Sequence, residues 1–222
     1  MKKVFKKILD ILIIIGFLII SQYALIPMSL WLKEQGYLRL DQVLTLLIIQ
    51  LLVLTIFVIF AQQQKLLRFE WKSWFTIPSL AYSLIGYLLI MGINLIGSLI
   101  LYLEGRATTA NQSAINEMIH PTTLMSMFVF VVIMAPLTEE IIFRGLIPRL
   151  FSKKLALLGY ALGTLLFALA HSPSNIGSFV IYFGMGSILG IIAYKSQKLE
   201  YSVLAHALNN GIAFSIMLFM LQ

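Results

Sequence analysis

Two adjacent glutamates and an arginine, Glu139, Glu140 and Arg144, lie in an apolar stretch of the chain that reads APLTEEIIFRG. An unpaired ion near the centre of a bilayer costs at least about 2.5 kcal/mol, so charges there usually mark a site. Glu140 and Arg144 have the spacing and order of a helical ion pair, which is a structural interpretation of those two residues. Glu139 points about 100° away from Glu140 around the helix, so the ion pair does not explain a second acid in this apolar stretch. A carboxylate in a low-dielectric site can take a proton from water and pass it to a leaving amine, so Glu139 is the candidate general base.

Two of the three histidines, His171 and His206, also fall in apolar stretches. His171 ends the sequence FALAH just before a Ser-Pro pair, where a helix cap or an interfacial residue is the alternative to a catalytic one. His206 begins HALNN and stands four residues before Asn210, so the two share one helical face. An imidazole and a carboxamide can both donate hydrogen bonds, and paired donors on one face suit an oxyanion. Asn209 points about 100° away from Asn210 and is more typical of helix packing.

The elements that must position these residues are membrane helices. The 222 residues are 60% hydrophobic and 11% charged, well beyond the apolar content of about 45–50% in soluble domains. The pattern predicts an all-α, polytopic transmembrane bundle of about seven spans that encloses a polar cavity. The predicted spans are residues 8–32, 43–61, 75–103, 122–147, 155–170, 176–194 and 201–221. Cysteine is absent, which excludes disulfides, thiolate nucleophiles and cysteine-ligated metals.

The basic residues predict the orientation of the bundle. If the N-terminus is cytoplasmic, the inner segments carry thirteen lysines and arginines and the outer segments carry three. The inner set is Lys2, Lys3, Lys6, Lys7, Lys65, Arg68, Lys72, Arg144, Arg149, Lys153, Lys154, Lys195 and Lys198, and the outer set is Lys33, Arg39 and Arg106. This bias predicts a multi-pass protein of the cell membrane with its N-terminus inside and its C-terminus outside. The net charge of +7 is spread over short flanks rather than one patch, so no nucleic-acid partner is expected.

Three motifs in the second half of the chain resemble those of a known family. EEIIFR, FALAH and HALNN occur in this order on three of the last four spans. They are similar to the motifs EExxxR, FxxxH and HxxxN of the CPBP family, the CAAX proteases and bacteriocin-processing enzymes, also called Abi. The resemblance covers about residues 122–210, and the first three spans match only as generic apolar segments. It divides the chain into N-terminal transmembrane spans, residues 1–120, and a CPBP/Abi-type catalytic core, residues 121–222.

The resemblance implies an intramembrane endopeptidase whose helical core holds a polar cavity open to the cytosolic side. By matching positions, Glu139 would activate the attacking water and His171 would help to hold that water. His206 and Asn210 would stabilise the tetrahedral oxyanion. The implied substrate is a small peptide or a lipidated protein at the membrane lipids. A CAAX-type activity would require a prenylated C-terminal cysteine, whereas bacterial members are associated with small peptides such as bacteriocins.

Glu140 and Arg144 match the remaining motif positions, which the resemblance implies are site-shaping. Family members are often labelled metalloproteases, and Glu139 or Glu140 with His171 and His206 could supply a three-ligand zinc site. The chain has no HExxH sequence, and the two histidines come from separate spans. These features favour a metal-free glutamate mechanism, with zinc as the alternative.

Two other classes of protein stay open at this stage. A non-catalytic bacteriocin-immunity or signalling-regulator protein would keep the fold and bind a peptide without cleaving it. The complete set Glu139, His171, His206 and Asn210 favours turnover, because a pure binder has no need of it. A transporter would also place charges in the membrane, but no inverted repeat is visible in the sequence.

Counting along straight helices predicts that the two histidines do not meet. His171 is about 26 Å from Lys154 and His206 is only about 12 Å from Lys198 at a rise of 1.5 Å per residue. They can meet only if the fifth span is tilted or kinked, or if residues 195–200 dip into the membrane.

Overall fold

The computed structural model describes residues 2–23, 25–67 and 70–220, and within these it contains helices and no strand. The helices are α1 (Lys2–Gln22), α2 (Ile26–Gln35), α3 (Leu40–Gln63), α4 (Trp71–Trp74), α5 (Ile77–Leu103), α6 (Ala110–Glu117), α7 (Leu124–Arg149), α8 (Ala156–Ala170), α9 (Ile176–Ser196) and α10 (Leu199–Met220). Seven stretches in this part of the chain are long and apolar enough to cross a membrane. The predicted all-α polytopic bundle is therefore confirmed, and the protein is a multi-pass membrane protein.

The first span, Ile8–Gln35, includes most of helix α1 and all of helix α2. Helix α2 has a proline in its first turn, where the missing N–H has no helical partner to lose. The predicted inner cation Arg68 and Leu221, the end of the last predicted span, lie outside the described residues.

Helix α7, which carries both glutamates, is enclosed by the other helices. Within the protein, 61% of its most apolar window is buried, against 22% for each of α3 and α5. A span that contacts protein rather than lipid on most sides can present charged side chains to partners on neighbouring helices. The enclosure of α7 therefore explains how a membrane helix accommodates three charged residues.

Helix α7 contains two wider, π-helical stretches, Val129–Met134 and Ile141–Leu146. Each ends within two residues of a proline, Pro136 or Pro148. Proline has no N–H for the carbonyl four residues earlier and clashes with it, so the helix must widen or bend there. The prolines thus account for the π-helical stretches on either side of the two glutamates.

One end of the bundle, which we call the basic end, is formed by the segment after α3, described at residues 62–67 and 70–76, and by residues 149–155 and 195–201. Arg149 donates to the carbonyl of Gln64 at 2.6 Å and so joins the first two segments. The hydroxyls of Thr76 and Tyr201 lie 3.2 Å apart and join the first segment to the third.

The opposite end, the neutral end, is formed by residues 33–41, 104–123 and 171–176. The amide of Leu38 donates to the hydroxyl of Thr122 at 2.9 Å. The carboxylate of Glu104 accepts from the amides of Ile176 and Gly177, at 3.0 and 3.1 Å. An anion at the first turn of a helix satisfies free amides and the helix dipole together. This contact ties the end of α5 to the start of α9 and fixes the turn that follows His171.

Candidate active site

Glu140 and Arg144 form a buried ion pair behind the site. Their side chains are 0% and 1% exposed, and Nη1 of Arg144 lies 2.9 Å from Oε1 of Glu140. The second guanidinium nitrogen donates to the carbonyl of Gly186 on α9 at 3.0 Å. The guanidinium also lies over the ring of Phe167, 4.3 Å from its centre. The arginine therefore joins three helices, and the same Glu140 oxygen contacts Nδ1 of His206 at 3.2 Å.

Glu139 has a different environment from its neighbour. Its Oε2 lies 3.9 Å from Nε2 of His171 and 3.9 Å from Nε2 of His206. This oxygen is buried and has no hydrogen-bond partner among the described residues. The side chain as a whole is 24% exposed, so it faces an open space rather than the packed interior. Three donor or acceptor atoms thus converge on one point, but neither histidine is close enough to form a hydrogen bond with Glu139.

The ring of His171 is held in one orientation by two contacts. Its Nδ1 donates to the carbonyl of Phe167, 2.8 Å away in the last turn of α8. Its face stacks on Tyr182 of α9, with ring centres 4.4 Å apart and an angle of 22°. The Tyr182 hydroxyl in turn lies 2.7 Å from the hydroxyl of Thr109. Because a carbonyl can only accept, Nδ1 carries the hydrogen, and the lone pair of Nε2 faces Glu139 when the ring is neutral.

The ring of His206 is 1% exposed and is oriented in a similar way. Its Nδ1 faces the carboxylate of Glu140, which is held in its charged form by Arg144 and accepts. Nε2 is then an acceptor in the neutral ring and becomes a donor only when the ring is an imidazolium. The role of oxyanion donor therefore requires a protonated His206, with Glu140 as its counter-charge.

Asn210 lies on α10 one turn after His206, and part of its hydrogen-bonding capacity is used within the fold. Its amide nitrogen donates to the carbonyl of Val131 at 3.0 Å, within the first π-helical stretch of α7. Its oxygen accepts from Asn209 at 3.2 Å. A carboxamide nitrogen has two N–H bonds, so one remains for a ligand. Asn209 is more than a packing residue, since it also lines the cavity that Glu139 faces.

The prediction that the two histidines do not meet is wrong. Nε2 of each lies 3.9 Å from the same oxygen of Glu139. The ring of Phe167 packs near both, with its centre 4.5 Å from that of His171 and 5.9 Å from that of His206. The straight count assumed that Lys154 and Lys198 lie at the same depth. Leu199 and Glu200 are only 7% and 2% exposed, so α10 begins inside the protein. The meeting of the histidines is thus set by how the helices pack, and the tilt of the fifth span and the dip of residues 195–200 both stay predictions.

A cavity of about 560 Å³ brings the four predicted catalytic residues together. Glu139, His171, His206 and Asn210 all line it, whereas Glu140 and Arg144 do not. From Glu139 the lining continues to residues 107–118 at the neutral end, and no described residue of the basic end contributes to it. The charge pattern places residues 104–120 outside the cell, and the resemblance implied a cavity open to the cytosol. Because the cavity reaches residues 107–118, these two expectations cannot both hold.

The residues considered for zinc do not form a recognisable metal site. Within the described ranges, no three His, Cys, Asp or Glu side chains are arranged so that they could hold a metal ion. Oε2 of Glu139 lies 3.9 Å from Nε2 of each histidine.

Three residues that support the site were not identified from the sequence. Tyr182 stacks on His171, Phe167 packs near both histidines and against the guanidinium of Arg144, and the carbonyl of Val131 accepts from Asn210. Phe167 could have been found, because it is the first residue of the FALAH motif. Tyr182 and Val131 belong to no motif, and only the packing of the helices shows their part.

Comparison with known proteins confirms the resemblance. Residues 121–212 match the Rce1-like family, described as type II CAAX prenyl endopeptidase Rce1-like. The chain is 22% identical over 203 residues to UPF0177 protein YvdC of Lactococcus lactis subsp. lactis (strain IL1403), covering 90% of this chain and 76% of that protein. It is 29% identical over 140 residues to the membrane-embedded CAAX protease MroQ of Staphylococcus aureus (strain USA300), covering 59% of this chain and 55% of that protein. No solved structure matches the chain. The family match supports a role as a membrane endopeptidase and does not favour the non-catalytic alternative.

Proposed function

Because residues 121–212 are of the Rce1-like CAAX endopeptidase family, we propose that the protein is a glutamate-type intramembrane endopeptidase. Its substrate is a peptide or protein segment at the membrane, and the reaction takes place in the cavity at Glu139. The observation that carries the proposal is the convergence of Oε2 of Glu139 with Nε2 of both histidines at 3.9 Å. A carboxylate oxygen without a hydrogen-bond partner, facing a cavity, has no structural task in the fold.

Glu139 and His171 are suited to orient one water molecule. A water that hydrogen-bonds to two atoms 3.9 Å apart lies to one side of the line between them, at about 2.7–3.2 Å from each atom. It donates one hydrogen to the lone pair of Nε2 of His171 and the other to Oε2 of Glu139. Its own lone pair then points into the cavity, toward the carbonyl carbon of a bound peptide.

The remaining steps balance through the same groups. Glu139 takes a proton from the water as the water oxygen bonds to the carbonyl carbon, and the carbonyl electrons move to its oxygen. The oxyanion is held by the Nε2–H of protonated His206 and by the free N–H of Asn210. When the oxyanion collapses, the C–N bond breaks and Glu139 passes its proton to the leaving nitrogen. The products are a carboxylic acid and an amine, Glu139 is returned to its starting form, and no step is assigned to a metal.

The test is cleavage of a membrane-embedded reporter by purified protein and by its Glu139→Gln variant. Glutamine keeps the shape of the side chain but cannot take the proton, so cleavage should stop while the protein remains folded in detergent. Tyr87→Phe on α5 is a matched control, because it changes one polar group that does not line the cavity. Cleavage by the Glu139→Gln variant at the wild-type rate would refute the assignment of the base.

A further inference from the structure

The cavity opens at one end of the bundle, and the hydrogen bonds between loops identify that end. The lining residues Ala107 and Ala114 are exposed and belong to the segment that joins α5 to α7. The same segment contributes Thr109, whose hydroxyl contacts Tyr182 beside His171. The cavity therefore leads from Glu139 to the neutral end of the bundle and away from the basic end.

The two ends differ strongly in charge. Residues 33–41 and 104–120 at the neutral end contain three lysines and arginines and four acidic residues. The described residues of the basic end, 62–67, 70–76, 149–155 and 195–201, contain seven lysines and arginines and two acidic residues, and four more lysines precede the first span in the sequence. Arg144 is excluded from this second set because its side chain is buried in the ion pair with Glu140. A bias of this size near the ends of spans sets the basic end in the cytoplasm.

We infer that the catalytic cavity opens on the outer face of the membrane, and that the substrate is a peptide or protein segment presented there. The inference rests on the proposed endopeptidase function. It replaces the cytosolic opening implied by the family resemblance, because the charge bias and the course of the cavity are both properties of this chain.

The walls of the outer part of the cavity fit an uncharged peptide segment. In the described part of the chain, this lining contains no lysine or arginine, and Glu139 at the inner end is its one acidic residue. Hydroxyl and carboxamide side chains line the path and can bond to peptide N–H and C=O groups. They include Asn94, Ser98, Thr108, Asn111, Gln112 and Asn209. Such walls offer no counter-charge to a strongly charged substrate.

The side of opening can be tested with single cysteines, since the native chain has none. Ala107→Cys and Ala114→Cys place a thiol at exposed positions of the cavity rim, and Gln63→Cys and Ser152→Cys are matched exposed positions at the basic end. A negatively charged, membrane-impermeant methanethiosulfonate applied to intact cells should label both rim variants and neither basic-end variant. All four should react after permeabilisation. Labelling of Ser152→Cys in intact cells, or of Ala114→Cys only after permeabilisation, would overturn the inference.

Substrate access can be tested separately with a quenched fluorescent library of uncharged peptides added to sealed cells. Cells that carry the wild-type chain should cleave the library, and cells that carry Glu139→Gln should not. Cleavage that depends on Glu139 but occurs only after permeabilisation would overturn the inference. If the cysteines report the expected orientation but no peptide is cleaved in either state, the result counts against the endopeptidase function and leaves the orientation supported.

Discussion

Glu139 and Glu140 have the same chemistry and adjacent positions, so glutamine at each of them separates a reacting carboxylate from a structural one. Glu140→Gln removes the only carboxylate within salt-bridge distance of Arg144 among the described residues. That arginine is 1% exposed and cannot turn to water. Glu139→Gln removes a charge whose Oε2 has no hydrogen bond to the described residues. We therefore expect opposite phenotypes from two identical chemical changes.

The magnitudes follow from burial. Removing one partner of a fully buried ion pair costs about 3–5 kcal/mol, because the other charge is left uncompensated. Substitutions that break no contact usually change stability by less than about 0.5 kcal/mol. For a chain of this size, 1 kcal/mol shifts the unfolding midpoint by about 2–4 °C. Glu140→Gln should thus lower the midpoint by about 6–20 °C, and Glu139→Gln should leave it within about 2 °C of the wild type.

The midpoint can be measured by heating each variant in one detergent and following the folded fraction by size-exclusion chromatography. The double variant Glu140→Gln with Arg144→Met is the internal control. It removes both charges and keeps an acceptor for His206, so it should recover most of the lost stability. A Glu140→Gln variant that melts with the wild type would refute the reasoning, and so would a double variant less stable than the single one.

Three further outcomes are expected. If no metal takes part in the reaction, prolonged chelation should leave cleavage unchanged. Purified protein that contains stoichiometric zinc and loses it together with activity would contradict the metal-free mechanism. Gly163→Ala should destabilise the protein by about 1–3 kcal/mol, because the added Cβ would meet the carbonyl of Phe143. Gly92→Ala is the control: its Cβ would meet no described atom within 4 Å, so the melting midpoint should not fall. Tyr182→Phe keeps the ring against His171 and should retain most of the turnover rate, while Tyr182→Leu should lower kcat without a matching fall in the melting midpoint.

Much of the fold was predictable, because the properties that define a membrane helix are local. Length and hydropathy alone locate the seven spans, since lipid offers no hydrogen-bond partner to an exposed backbone. The pairing of Glu140 with Arg144 was predictable for the same reason: four residues make one turn, so the spacing brings the side chains together. The π-helical stretches of α7 were not identified, although Pro136 and Pro148 are the signal for them.

The meeting of Glu139, His171 and His206 was decided by tertiary structure. Their positions along the chain say which face each residue takes on its own helix, but not the depth at which separate helices lie beside one another. Contacts between helices fix that arrangement, such as the stacking of His171 on Tyr182 of α9. The sequence by itself determined the spans, the charge bias between the two ends and the residue types of the site. Only the packing of the helices decided that these residues converge and at which end their cavity opens, because the spacing of residues along one helix does not say how that helix lies against another.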